Sequence, residues 1–130
     1  MKQTKPKWQE VGERFTVAGV QYSDYLKVRS QLKLGCTVRF VGETRNIYDI
    51  RAIRIEYSGV KIGYVPANST IQHNLWMCHK AGSHVVGVVT FKAGATIAIQ
   101  ALAHKPKPLT KQEGEVHFAK MRAELSYQVK

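Results

Sequence analysis

Residues 43–55, ETRNIYDIRAIRI, place an amide, an aromatic ring and a carboxylate within four positions, just before an apolar stretch. These side chains belong to Asn46, Tyr48 and Asp49. A ring stacks on a nucleobase, and a carboxylate accepts a charge-assisted hydrogen bond from a hydroxyl group. The same stretch also fits a turn, in which Asn46 or Asp49 accepts hydrogen bonds from nearby backbone N–H groups. For Asn46 alone, the turn is the better interpretation.

Aromatic and basic residues accompany this stretch, on or beside predicted strands. Together they are the parts of a platform for single-stranded nucleic acid. The whole chain has 20 Lys and Arg against 9 Asp and Glu, a net charge of +11, and ten against four of these lie in residues 15–95. Such a positive field raises on-rates for polyanions, so nucleic acid is the first partner to consider. The residues are Tyr22, Tyr48, Tyr57, Tyr64, Arg39, Arg45, Arg51, Arg54 and Lys61.

The sequence contains no motif typical of catalysis or metal binding. It has no phosphate-binding P-loop, nucleophile elbow or zinc-protease helix. Glu43 and Asp49 form the best acidic pair for a metal ion, but the arginines around them favour surface ion pairs instead. Cys36 and Cys78 give neither a disulfide framework nor paired zinc ligands. We therefore expect no enzyme, no metal and no cofactor.

The length and hydropathy of the chain predict one domain in an intracellular setting. Its 130 residues, 44% of them hydrophobic, are enough for a single core. The start, MKQTKPKWQE, lacks the apolar segment of a secretory signal. No apolar run reaches the ~18 residues that span a bilayer. No membrane partner is expected.

Alternating apolar and polar residues predict six strands, and helical spacing predicts two helices. Ser58–Gly59 predicts a tight hairpin turn between two of the strands. Many short strands with few helices favour a mainly β fold, a six-stranded half-open barrel of the OB or SH3-like kind. The predicted strands are 14–22, 36–43, 51–57, 60–66, 84–94 and 95–103, and the helices are 23–35 and 67–82.

Three segments are predicted along the chain. Residues 1–13 form a flexible, basic lead-in, and residues 14–103 form the barrel domain. Residues 104–130 form a linker rich in proline and lysine, followed by a C-terminal helix or tail. The linker, HKPKP, cannot continue a sheet because proline lacks the backbone donor.

Three blocks, in this order, resemble the HIRAN domain family: VAGVQY (17–22), ETRNIYDIRAIRI (43–55) and KIGYVP (61–66). The resemblance covers about residues 14–94. HIRAN domains are small barrels found in SWI/SNF-type helicase and ubiquitin-ligase proteins, and alone or in other fusions in bacteria and phages. The resemblance implies binding of single-stranded DNA at its free 3′ end, as the helicase-type members do.

The resemblance also implies roles for individual residues. Tyr22 and Tyr48 are expected to contact or stack on the terminal bases, and Asp49 to accept a hydrogen bond from the 3′-hydroxyl. Asn46 is expected to help hold the terminal nucleotide. Tyr64 falls where helicase-type members can carry a histidine near the DNA backbone, so its role transfers less directly.

Two positions depart from the family pattern. Gln21 stands where helicase-type members can carry an arginine that meets the DNA backbone, and Ile47 replaces a proline that presets the turn. Arg45, Arg51 and Lys61 complete the predicted DNA-binding set.

Other functions remain open from the sequence. One is a general single-strand binder for DNA or RNA without end recognition. Another is a barrel that docks a larger DNA-processing protein through an open sheet edge at residues 60–66. A third is a nuclease acting at ends.

Overall fold

The computed structural model describes residues 8–104, which form a mainly β fold of six antiparallel strands, one α-helix and two 3₁₀ turns. This confirms the predicted fold class. The sheet has the order β1-β6-β5-β2-β3-β4. The elements are β1 (Gln9–Thr16), β2 (Thr37–Gly42), β3 (Ile53–Tyr57), β4 (Val60–Tyr64), α1 (Thr70–Lys80), β5 (His84–Ala93) and β6 (Thr96–His104), with 3₁₀ turns at Val20–Tyr22 and Tyr25–Lys27.

The two ends of the sheet approach each other just past β1. The backbone of Ala18 exchanges two hydrogen bonds of 2.8 Å with Tyr64 at the end of β4. Asp24 N also donates to the carbonyl oxygen of Lys61 at 3.1 Å. The sheet therefore curls into a half-open barrel, joined at this point by an isolated bridge rather than a ladder. The same bonds occupy Lys61 and Tyr64 on the β4 edge, which was expected to be open.

The first predicted strand has the wrong bounds. It is β1, which begins at Gln9 and ends at Thr16, instead of 14–22. Gln9–Glu13 therefore belong to the sheet and not to a flexible lead-in. Gly19, with φ of 69°, takes a left-handed conformation that favours glycine and leads the chain into the 3₁₀ turn at Val20–Tyr22.

The predicted helix over residues 23–35 is also wrong. Ser23 Oγ donates to the carbonyl of Val20 at 2.6 Å and accepts from Tyr25 N at 3.2 Å, which are local bonds that compete with a helix. Only the 3₁₀ turn at Tyr25–Lys27 forms in this part of the described chain. Leu26 and Leu34, two apolar residues of this segment, are 79% and 65% exposed, whereas Leu32 is buried.

The remaining elements are confirmed. Most have shorter ends than predicted, whereas β6 ends one residue later, at His104. Ser58 and Gly59 both have positive φ, 51° and 79°, as a tight hairpin turn requires. Ser69 caps α1 by accepting from Gln72 N at 3.1 Å, and Gly82, with φ of 76°, follows its last turn.

The core fills the inside of the barrel, and α1 packs beside the end of β2. Six side chains are completely buried: Leu32, Ile55, Ile62, Ile97, Ile99 and Ala101. A Cβ atom at Gly42 would lie 2.5 Å from the ring of Trp76, so only glycine lets the indole pack on the last residue of β2. This contact places α1 next to the loop that follows.

The prediction of a linker and tail over residues 104–130 is wrong at His104, which is the last residue of β6 and pairs with His84, and its remainder, 105–130, falls outside the described residues. Among residues 8–104 there is no helix with the length and apolar character needed to cross a membrane. In the same range, no cluster of three or more His, Cys, Asp or Glu side chains is arranged to hold a metal ion.

Candidate nucleic-acid interface

Residues 43–52, here called the site loop, connect β2 to β3. Its base is closed by Glu43 N, which donates to the carbonyl of Ala52 at 2.8 Å. Asn46 Oδ1 accepts from the backbone N–H groups of Tyr48 at 2.9 Å and Asp49 at 3.2 Å. This confirms the turn interpretation of Asn46, because its side chain replaces a backbone acceptor. Its bonds fix the two residues that follow.

Two tyrosine rings of the predicted site project into solvent. Tyr48 on the site loop is 93% exposed, and Tyr22 in the first 3₁₀ turn is 83% exposed. Ile47 and Ile50, which flank Tyr48 and Asp49 in the loop, are 87% and 71% exposed. Exposed rings are free to stack on a flat ligand, whereas a ring in the core is not.

Asp49 is half-buried and is held by uncharged donors. Its Oδ1 accepts from Arg51 N at 2.9 Å, and its Oδ2 accepts from Gln72 Nε2 at 2.9 Å. Among the described residues, no Lys, Arg or His side chain forms an ion pair with it. Each carboxylate oxygen has two acceptor sites, so each retains one after these bonds. Asp49 therefore has no counter-ion among the described residues and retains part of its accepting capacity.

Glu43, at the base of the site loop, lies in a different environment. Its Oε1 accepts from Tyr64 Oη at 2.9 Å and from Asn46 Nδ2 at 3.1 Å, while its Oε2 pairs with Arg54 Nη1 at 3.1 Å. Its side chain is 17% exposed. Burial, and then the hydrogen bond to Glu43, raise the pKa of Tyr64 to about 12. The tyrosine hydroxyl therefore stays protonated and donates to Glu43.

The cationic side chains on the site loop, β3 and β4 differ in their interaction partners. Arg54 pairs with Glu43 and also lies 2.7 Å, by its Nε, from Glu56 Oε2. Arg45 and Arg51 are exposed, and neither has a carboxylate partner among residues 8–104. Lys61 Nζ lies 5.2 Å from the ring centroid of Tyr64, a cation–π distance.

Tyr64 connects the two parts of the predicted site. Its backbone pairs with Ala18, shortly before the turn that carries Gln21 and Tyr22, and its hydroxyl bonds to Glu43 of the site loop. Gln21 is exposed in that turn. The structure thus places the nine predicted residues on three adjoining elements: the first 3₁₀ turn, the site loop and β4.

The HIRAN domain family model matches residues 13–104, more than half of the chain. The chain belongs to the HIRAN domain family. The fold of this family is known as a DNA-binding module.

The domain is also similar to two crystal structures. The protein from Lactobacillus plantarum is 22% identical with a TM-score of 0.64, over 77% of this chain and 100% of that one.

The second similar structure is the HIRAN domain of human HLTF, 18% identical with a TM-score of 0.61, over 94% of this chain and 89% of that one. At these identities the two likenesses show the fold alone. No curated protein sequence matches this chain.

Three residues that contact the site loop or belong to it were not predicted as parts of the site: Glu43, Gln72 and Trp76. Glu43 and Asp49 were both expected to form surface ion pairs. Glu43 does pair with Arg54, but its side chain is only 17% exposed, and Asp49 has no such pair among residues 8–104. Gln72 and Trp76 on α1 both donate to the carbonyl of Arg51, at 2.9 and 2.7 Å. The available signal was Gln72 itself, a polar residue on the buried face next to Ile71. Such a residue indicates a buried hydrogen-bond partner.

Proposed function

We propose that this HIRAN domain binds single-stranded DNA at its free 3′-hydroxyl end. The observation that carries the proposal is the pairing of Tyr48, 93% exposed, with the adjacent carboxylate of Asp49, which is held by uncharged donors. The 3′-hydroxyl donates to an unused acceptor site of Asp49 in a charge-assisted bond. A 3′-phosphate has negative charge at the same place and is repelled.

The choice of donors around Asp49 supports this role. An arginine paired with the carboxylate would neutralise the charge that separates a hydroxyl from a phosphate. Gln72 Nε2 and Arg51 N orient the carboxylate without neutralising it. The basic surroundings attract the strand, while Asp49 selects its end.

The exposed rings supply affinity that does not depend on sequence. Stacking of a base on Tyr48 or Tyr22 contributes roughly 1–3 kcal/mol per base. Arg45, Arg51 and Lys61 contact phosphates, each adding a slope of about −0.7 to the dependence of log affinity on log salt.

The two departures from the family pattern fit this proposal. Gln21 provides no charge, so the phosphate contacts fall to the three cations already named. Ile47 does not preset the turn as a proline would, but the two bonds to Asn46 Oδ1 fix the same part of the loop. The site loop is therefore ordered by a side chain instead of by a pyrrolidine ring.

Docking of a larger DNA-processing protein at the β4 edge receives less support. That edge is already bonded at Lys61 and Tyr64, so an added strand would have to displace native hydrogen bonds. General binding of single-stranded DNA or RNA would use the same rings and cations, and differs only in ignoring the end.

Fluorescence anisotropy with three short strands tests the proposal. They have the same sequence and the same fluorophore on an internal base. The first carries a 3′-hydroxyl, the second carries a 3′-phosphate, and the third is circular and has no ends. We expect the 3′-hydroxyl strand to bind about tenfold or more tightly than the others, as one charge-assisted bond supplies. Equal binding of all three would show a general single-strand binder and contradict end recognition. No binding to any strand at moderate salt would contradict DNA binding altogether.

A further inference from the structure

Helix α1 contacts the site loop through Gln72, a polar side chain that is 3% exposed. Its Nε2 donates to Asp49 Oδ2 and to the carbonyl oxygen of Arg51, both at 2.9 Å. Trp76, one turn further along α1, donates to the same carbonyl at 2.7 Å. The helix thus holds the loop at two consecutive turns.

The position of Gln72 is itself fixed. Its Oε1 accepts from Asn68 N at 3.0 Å, and its own backbone N–H donates to Ser69 Oγ at 3.1 Å. Its side-chain oxygen and nitrogen are therefore both bonded at the start of α1. In a buried network of this kind, rotating the amide would break three side-chain bonds at once. Gln72 is a rigid support rather than a mobile contact.

Gln72 donates a hydrogen bond to one carboxylate oxygen of Asp49, and Arg51 N donates to the other. Two donors on different oxygens fix both the direction and the plane of the carboxylate. An amide does this without adding charge, whereas a lysine or arginine at position 72 would form an ion pair.

We infer that Gln72 is a positioning residue that determines how strictly the domain distinguishes a 3′-hydroxyl from a 3′-phosphate, by holding the Asp49 carboxylate in one orientation. This inference rests on the function proposed above. Gln72 lies beneath the loop, so it acts through Asp49 and not by touching DNA.

Gln72→Met removes the donor and keeps the length of the side chain. Gln100→Met is the matched control, because Gln100 is also buried, at 9% exposure, and its Nε2 donates to the carbonyl of Gly12 at 3.1 Å, on β1. Both variants are expected to unfold at a lower temperature. Only Gln72→Met should reduce the ratio of 3′-hydroxyl to 3′-phosphate affinity, by about tenfold. A parent-like ratio in Gln72→Met would overturn the inference.

A double-mutant cycle shows whether the effect passes through Asp49. In an Asp49→Ala background, Gln72→Met should cause no further change in the ratio, because the group it orients is gone. If the ratio falls by the same factor in both backgrounds, Gln72 acts elsewhere and the inference is wrong.

Hydrogen exchange of the Arg51 amide separates this inference from the proposed function, because that amide donates to Asp49 Oδ1 in the protein without DNA. We expect faster exchange in Gln72→Met and in Asp49→Ala, and parent-like exchange in Gln100→Met. Unchanged exchange in Gln72→Met, with end preference intact in the parent, overturns the positioning role alone. Absence of end preference in the parent overturns the proposed function and the specificity role together.

Discussion

The site loop contains two acids, Glu43 and Asp49, and the contrast between them separates structure from function. Glu43 is 17% exposed at the side chain, paired with Arg54, and hydrogen-bonded to Tyr64 and Asn46. Asp49 has only uncharged donors among the described residues. Removing a paired and largely buried acid leaves its partners uncompensated and destabilises the fold, whereas an oriented acid without a counter-ion is available to a ligand.

The sequence alone does not distinguish the two acids, since both lie among arginines. The two acids differ in which atoms of the nearby arginines they contact in the folded structure. Arg54 leaves β3 toward Glu43 and Glu56, while Arg51 offers its backbone N–H to Asp49 instead of its guanidinium.

The largest effect is expected from Glu43→Ala. It leaves a half-buried arginine with one carboxylate and leaves the hydroxyl of Tyr64 without its acceptor, which costs about 2–4 kcal/mol of stability. Thermal unfolding followed by circular dichroism should show a melting temperature lower by roughly 10 °C or more. At a temperature where the variant is folded, its end preference should persist. A variant with parent-like melting and no end preference would reverse the roles of the two acids.

Tyr48→Ala tests the ring beside Asp49. Loss of one stacked base should weaken binding of every single strand by about 5- to 100-fold, because stacking contributes roughly 1–3 kcal/mol. Tyr48→Phe keeps the ring and is the control, with binding close to the parent. Anisotropy titrations measure both. If Tyr48→Phe is as weak as Tyr48→Ala, the hydroxyl group and not the ring face makes the contact.

The smallest effect is expected from Arg51→Gln, which is compared with Arg54→Gln because Arg51 has no carboxylate partner among the described residues and Arg54 has two. Arg51→Gln should lower the salt slope of DNA binding by about 0.7 and leave the melting temperature near that of the parent. Arg54→Gln should instead lower the melting temperature with little change in slope, because its charge is already used by Glu43 and Glu56. Titrations at several salt concentrations measure the slopes. Equal slopes in the parent and Arg51→Gln would remove Arg51 from the interface.

Local signals explain which parts of the fold the sequence predicted. The hairpin turn needs positive φ at Ser58 and Gly59, and α1 needs the Ser69 cap, so neighbouring residues decide both. The conformation of residues 23–35 depends instead on partners that are distant in sequence. Lys92 Nζ donates to the carbonyls of Arg29 and Leu32, which would otherwise accept from within a helix.

The same distinction applies to the site. The Asn46 turn was predictable because its acceptor and donors lie within three residues. The support from Gln72 was not, since it lies 23 residues from Asp49 in sequence and meets it only through the packing of α1. Periodicity indicates that a position is buried, but it does not identify the partner of a buried amide.

The central claim is that the charge of Asp49 selects the strand end, and Asp49→Asn tests it most directly. Anisotropy is measured for the parent and the variant with 3′-hydroxyl and 3′-phosphate strands, with melting temperatures as the check on folding. We predict that the variant binds the 3′-hydroxyl strand more weakly and the 3′-phosphate strand more tightly than the parent does, because the repelling charge is removed. A damaged fold cannot produce that gain. If the variant keeps the end preference of the parent, or weakens both strands equally, Asp49 does not select the end.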